Sequence, residues 1–216
     1  MTDFSFIPQP STLGLYALAS VALAATPGPD MAVFVGKTLG GGRSCGFAAL
    51  AGALTGLLVH TLAAALGLSA VLAASSRAFG ALKILGAFYL LWLAIGALRH
   101  GAALPLDAGK SARETPARAF RTGLLINLTN PKIILFFVTF LPQFVDAKDT
   151  NARGEFLFLG LTFIVIGAIV SAGVVAVAAR LASAVKARPK ALRGFDYGFA
   201  ALMSAVAARL LWAAGD

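Results

Sequence analysis

Between Phe156 and Ala179 the chain runs for 24 residues without a charged side chain, and from Ser44 to Ser76 for 33, with His60 as the ionisable group of note. The hydrocarbon core of a bilayer takes ~20 apolar residues of α-helix. Runs of this length, recurring along 216 residues, belong to a chain that crosses a membrane several times. The composition agrees, since 12% of residues are charged and 59% hydrophobic, about half the charged share of an ordinary soluble domain. Too few polar side chains remain to cover a soluble fold. Strand-like alternation is absent and Ala and Leu dominate, which argues against a membrane β-barrel. The fold class is therefore an all-α membrane protein.

Six spans can be read: Thr12–Phe34, Gly46–Ala73, Phe79–Leu98, Thr122–Val145, Phe156–Ala179 and Phe195–Ala214. The last is interrupted by Arg209, which either faces a cavity or snorkels; both readings stand. The formal charge of +9 reads as a topology signal, because the basic residues cluster between apolar runs and no aromatic–basic nucleic-acid surface appears. Twelve basic residues fall in the first, third and fifth loops: Lys37 and Arg43; Arg99, Lys110, Arg113, Arg118 and Arg121; then Arg180, Lys186, Arg188, Lys190 and Arg193. Only four, Arg77, Lys83, Lys148 and Arg153, are counted with the second and fourth, Lys83 lying near the start of the third span. The positive-inside rule puts the odd loops in the cytoplasm and both termini outside. Met1 to Ser11 carries Asp3 and no basic residue, unlike a cleavable signal peptide. One membrane domain, 1–216, is expected, with three-helix repeats at 12–98 and 122–214 joined by a cytoplasmic linker at 99–121. Three spans per half give the halves opposite orientation, as in inverted-repeat transporters.

The first helix of each half carries a break. Thr26-Pro27-Gly28-Pro29-Asp30 interrupts span one, and Asn127-Leu128-Thr129-Asn130-Pro131-Lys132 interrupts span four. Proline lacks the N–H and clashes with the preceding turn, so no α-helix passes undisturbed through either segment. Freed backbone groups are tolerated at membrane depth only against protein or a polar cavity. Proline suits the first position of a helix, with Gly or Asn as the cap before it. Gly28-Pro29 and Asn130-Pro131 thus read as half-helix starts, whose unpaired N–H groups and partial positive charge suit a carboxylate. Superposing Pro29 on Pro131 puts Asp30 opposite Lys132. A structural ion pair between them is one reading; a substrate site is the other, favoured because intramembrane ionisable residues usually mark function. The candidate site comprises Pro27, Gly28, Pro29, Asp30, Asn127, Asn130, Pro131 and Lys132.

At these residues the chain resembles the lysine exporter (LysE) family, in particular its threonine/homoserine exporter-like (RhtB) branch. The resemblance rests on Pro-Gly-Pro at 27–29, the glycines at 42, 46, 52, 56 and 67, Leu85-Gly86-Ala87 with Tyr89-Leu90-Leu91-Trp92, Asn-Pro-Lys at 130–132 and Leu141-Pro142-Gln143-Phe144. It covers essentially the whole chain. It implies a bacterial inner-membrane exporter of amino acids or close derivatives, driven by the proton gradient, with no cofactor. ATP is excluded as the fuel, since Gly40-Gly41-Gly42-Arg43 lacks the Gly-Lys-Ser/Thr that cradles phosphate.

The remaining residues fit this frame. One cysteine, Cys45, excludes an internal disulfide, and two histidines without ligand spacing argue against a metal-ion cargo. No clustered nucleophile, base and orienting group supports a membrane-embedded enzyme. Gly52 and Gly56 form a step for close helix approach, either within the monomer or as a homodimer contact. His60 is a packing histidine or a proton carrier; Asp30 is the other candidate for the proton. Trp92, Tyr197 and Trp212 read as interfacial anchors.

Overall fold

The computed structural model describes residues 8–100, 114–145, 151–187 and 189–213, which are mostly helical, with no strand among them. Helix α1 spans Pro10–Ala25. Helix α2, Pro29–Ala63, continues through a π turn, Ala64–Leu68, into α3, Ser69–Ala74. Helix α4 covers Ser76–His100 and α5 Pro116–Thr129. A short α6, Pro131–Leu135, runs into a π turn, Phe136–Phe140, and a 3-10 turn, Leu141–Phe144. Helices α7, Ala152–Ala187, and α8, Pro189–Ala213, complete the chain. Two helices, Pro29–Ala74 and Ala152–Ala178, are long and apolar enough to cross a membrane. The pair Pro116–Thr129 and Pro131–Phe144, bent by 49°, passes the same test together, and Pro10–Ala25, Gly80–Gly96 and Tyr197–Ala208 are shorter apolar helices.

The interruptions follow the local chemistry of proline. A residue preceding proline is pushed out of the α region. Thr26 before Pro27 has ψ 121°, Gly28 before Pro29 is fully extended, and Asn130 before Pro131 has ψ 111°. Pro142 acts four residues earlier as well, because its ring crowds the turn behind it. The chain accommodates it by widening to a π turn over Phe136–Phe140 and then tightening.

Several boundaries differ from the sequence reading, among them the end of the linker expected at 99–121, where α5 already begins at Pro116. Residues 35–45, expected as a loop between the first two spans, are helical on both sides of a corner at Gly42. Gly42 has φ 80°, a conformation that side chains resist, so the turn takes one residue and Lys37 stays on a helix. The backbone is likewise helical through most of the expected fifth loop, up to Ala187 and again from Pro189. The linker residues Lys110 and Arg113, with Lys148 and Arg188, lie outside the described residues. The side chains of His100 and Arg209 do too.

Helix α5 lies along α2, α7 packs against both α2 and α1, and α4 pairs with α8. In lipid the tails are as apolar as leucine, so helices hold together through close packing and hydrogen bonds. The α2–α5 crossing is built for closeness. A Cβ on Gly52 would sit 2.0 Å from the Phe120 carbonyl oxygen, and one on Gly123 would sit 1.9 Å from that of Ala49. A Cβ on Gly56 would come within 2.6 Å of Asn127 Oδ1. The Gly52–Gly56 step therefore faces α5 of its own chain. A second contact region is aromatic: Phe136 stacks on Phe140 and Phe163, with centroids 5.0 and 4.2 Å apart, and Tyr16 meets Phe144 edge-on at 5.1 Å. The Tyr16 hydroxyl donates to the Leu159 carbonyl at 2.7 Å, fastening α1 to α7. Trp92, Tyr197 and Trp212 are exposed.

Candidate functional site

The two interruptions, about a hundred residues apart in sequence, meet in space. Asn127 Nδ2 and Asn130 Nδ2 both donate to Asp30 Oδ2, at 3.2 and 3.1 Å. Asn130 Oδ1 accepts from the Lys132 backbone N–H at 3.1 Å, capping α6. The Lys132 ammonium reaches the other way, donating to the carbonyls of Leu23 and Thr26 at 2.8 and 2.9 Å. These carbonyls lie at the C-terminal end of α1, where the helix dipole favours a cation. Thr26 completes that end, its N–H and hydroxyl both donating to the Ala22 carbonyl.

The ion pair that sequence matching allows between Asp30 and Lys132 is not formed. Each charge is held by the opposite interruption, Asp30 by the asparagines of the second and Lys132 by the carbonyls of the first. The two half-helix starts also differ. The first intrahelical bond of α2 runs from Ala32 N to Gly28 O, and Gly28 offers no side-chain cap. The Asp30 and Met31 N–H groups therefore precede the ladder, as an open helix start. At α6 the Asn130 side chain and carbonyl already take the N–H groups of Lys132, Ile133 and Ile134. Only the α2 start is open to an anion.

A cavity of about 50 Å³, enough for a few water molecules, lies at this junction. Its polar floor is formed by Gly28, Asp30, Asn127, Asn130 and Lys132. Pro27, Pro29 and Pro131 shape the breaks but do not line it. Asp30 Oδ1 and Asn127 Oδ1 are buried without a hydrogen-bond partner; the first belongs to the carboxylate on the floor, and the second rests against Gly56. An unpartnered buried acceptor is costly, so Asp30 Oδ1 has capacity for one further donor. The lysine ammonium has three N–H donors, of which two go to the α1 carbonyls.

Sequence reasoning missed a largely apolar part of the lining, the wall. It consists of Leu50, Ala53, Leu54 and Leu57 on α2 and Phe163, Gly167 and Ser171 on α7. The signal was available: 163, 167 and 171 fall four apart, on one helical face. Tyr89 was also missed as a support; its hydroxyl donates to the Lys132 carbonyl at 3.4 Å. His60 stands beside the site, stacked on Phe137 with centroids 5.5 Å apart and with Nε2 3.4 Å from the Asn127 carbonyl oxygen. Among the described residues no group of three His, Cys, Asp or Glu side chains could hold a metal ion.

The family model described as LysE type translocator matches residues 21–214. The chain is 32% identical over 195 residues to the homoserine/homoserine lactone efflux protein of Salmonella typhimurium, covering 90% of this chain and 93% of that protein. It is 34% identical over 148 residues to the leucine efflux protein of Enterobacter sp., covering 68% of this chain and 70% of that one. An uncharacterized membrane protein of Vibrio cholerae is 38% identical over 167 residues, 77% of this chain and 80% of its own length. No solved structure matches. The resemblance read from Pro-Gly-Pro and Asn-Pro-Lys thus extends over most of the sequence, and the chain belongs to the LysE type translocator family of membrane proteins.

Proposed function

We propose that this protein is a secondary exporter of amino acids or close derivatives across the bacterial inner membrane, driven by the proton gradient. The observation that carries the reading is the cavity where the two interruptions meet. Its floor offers an unpartnered carboxylate oxygen of Asp30 together with Lys132 and the open start of α2. A zwitterion complements that pair of features: its ammonium meets Asp30 Oδ1, and its carboxylate meets the Asp30 and Met31 N–H groups and the remaining Lys132 N–H. Relatives named for homoserine and leucine efflux support the substrate class.

The transport cycle rests on a finer architecture, also proposed. Six spans form two inverted three-helix repeats, 12–98 and 122–214. Helix α1 with the start of α2, and α5 with α6, act as the two broken helices at the midplane. The linker at 99–121 is cytoplasmic and both termini are periplasmic. Asp30 is the proposed proton carrier and His60 the alternative. The chain acts alone or as a homodimer, whose contact uses a face other than the Gly52–Gly56 step already occupied by α5. Counterflow in proteoliposomes tests the function: internal unlabelled amino acid should drive uptake of the same labelled one, and a flat response across all amino acids overturns it.

A further inference from the structure

Resting on the amino-acid reading above, we infer that Gly167 and Ser171 on α7 form the side-chain subsite of the cavity and fix its preference for uncharged amino acids of small to medium size. The other buried glycines here are dictated by close contact with a neighbouring backbone or side chain, as at Gly52, Gly56 and Gly123, where a Cβ has no room. Gly167 is different. It is buried and lines the cavity, yet an added Cβ would meet only Leu57 Cδ1, at 3.8 Å, an ordinary contact. Packing does not require a glycine at that place, and glycine in a helix interior costs stability relative to alanine. What its bare backbone leaves is room inside the cavity.

The surroundings say what that room accepts. Leu54, Leu57 and Phe163 make the wall apolar, and the charged residues of the lining, Asp30 and Lys132, both belong to the floor. A charged side chain pointing away from the floor would be desolvated without a partner. Ser171, four residues beyond Gly167 on the same face, adds one hydroxyl. Thr38, Thr55, Thr61, Thr122, Thr129, Thr139 and Thr162 donate their hydroxyls to the carbonyl four residues back, whereas the Ser171 hydroxyl takes no partner among the described residues. It is left for a polar atom of the substrate side chain. The subsite therefore takes aliphatic side chains, and hydroxylated ones through Ser171.

The test is competition against one labelled substrate in proteoliposomes by glycine, alanine, homoserine, leucine and lysine, for wild type, Gly167→Ala, Gly167→Val, Ser171→Ala and Gly173→Ala. Gly173 is exposed on the same helix with nothing within 4 Å of an added Cβ, so Gly173→Ala controls for the effect of a methyl group on α7 itself. Wild type should reject lysine. A methylene in an apolar pocket is worth roughly 10- to 200-fold in discrimination. Gly167→Ala should lower leucine relative to alanine by about tenfold or more, and Gly167→Val further. Ser171→Ala should weaken homoserine while leaving leucine unchanged, and Gly173→Ala should keep the wild-type ranking. If wild type moves amino acids but Gly167→Ala and Gly167→Val preserve its ranking, or lower every competitor equally, the subsite is refuted while the exporter stands. If wild type moves no amino acid, the exporter reading fails and this inference falls with it.

Discussion

Asp30 and Lys132 stand one residue beyond a proline at each interruption, yet each is bound to the other's interruption: Asp30 to Asn127 and Asn130, Lys132 to the carbonyls of Leu23 and Thr26. The arrangement is a reciprocal brace. A direct ion pair would have satisfied the two charges and left the broken backbone bare. Here the lysine covers freed carbonyls and the asparagines cover the carboxylate, and one carboxylate oxygen is left over.

Removing the lysine should therefore be felt first in stability. A hydrogen bond to a charged group contributes about 1.5–3 kcal/mol, and Lys132 makes two. Lys132→Met should lower the thermal unfolding temperature in detergent more than the same change at exposed Arg118. An equal or smaller drop would mean that the carbonyls find other partners.

Coupling is tested at Asp30. On the proposal that it carries the proton, Asp30→Asn should lose export driven by an imposed pH gradient while counterflow partly survives. Wild-type gradient-driven export in that variant would move the proton site elsewhere, with His60 next to be substituted.

A substrate carboxylate bound at the α2 start implies discrimination against amides. Loss of one charge-assisted hydrogen bond corresponds to about 1.5–3 kcal/mol, roughly 10- to 150-fold weaker competition by an amino-acid amide than by its acid. Asn130→Leu should weaken both together, because it removes one of the two amides that hold Asp30 and uncaps α6. Equal competition by acid and amide in wild type would remove the carboxylate from that place.

The crossing of α2 and α5 is open to a packing test. Gly52→Ala would place a methyl carbon 2.0 Å from the Phe120 carbonyl oxygen, so the helices must separate. The cost should exceed the ~1–3 kcal/mol of ordinary overpacking. Its folded yield, read by size-exclusion chromatography after heating, should fall well below that of Gly14→Ala, where an added Cβ meets nothing.

Topology rests on the basic residues. With twelve in the odd loops against four counted with the even ones, a cysteine at position 111 on a Cys45→Ser background should resist a membrane-impermeant label in intact cells and react in inverted vesicles. Labelling from outside would reverse the orientation.

Much of this was legible in the sequence because proline acts locally. Pro27, Pro29 and Pro131 dictate the backbone of the residues before them whatever else the chain does, so the interruptions and the residues beside them could be read directly. Five of the eight candidate residues line the cavity. The partners were not legible. Which carbonyls Lys132 reaches, and that Asn130 caps its own helix, depend on how the two interruptions come together, and spacing along the chain says nothing of that. The corner at Gly42 was hidden for the opposite reason: Lys37 and Arg43 looked like loop residues, although one glycine at positive φ suffices to turn a helix. The apolar wall escaped because leucines and phenylalanines in such a chain carry no distinguishing mark until a cavity lies beside them.

The glycines of the α2–α5 crossing and Gly167 divide the protein into two kinds of position with different evolutionary freedom. At Gly52, Gly56 and Gly123 any heavier residue meets backbone or the Asn127 side chain, so drift at those positions is paid in folding. At Gly167 a methyl group meets only a leucine tip at ordinary contact distance. Single-base changes there reach alanine or valine without touching the crossing that holds the helices together. A lineage with this arrangement can change its cargo at one codon while inheriting the frame intact.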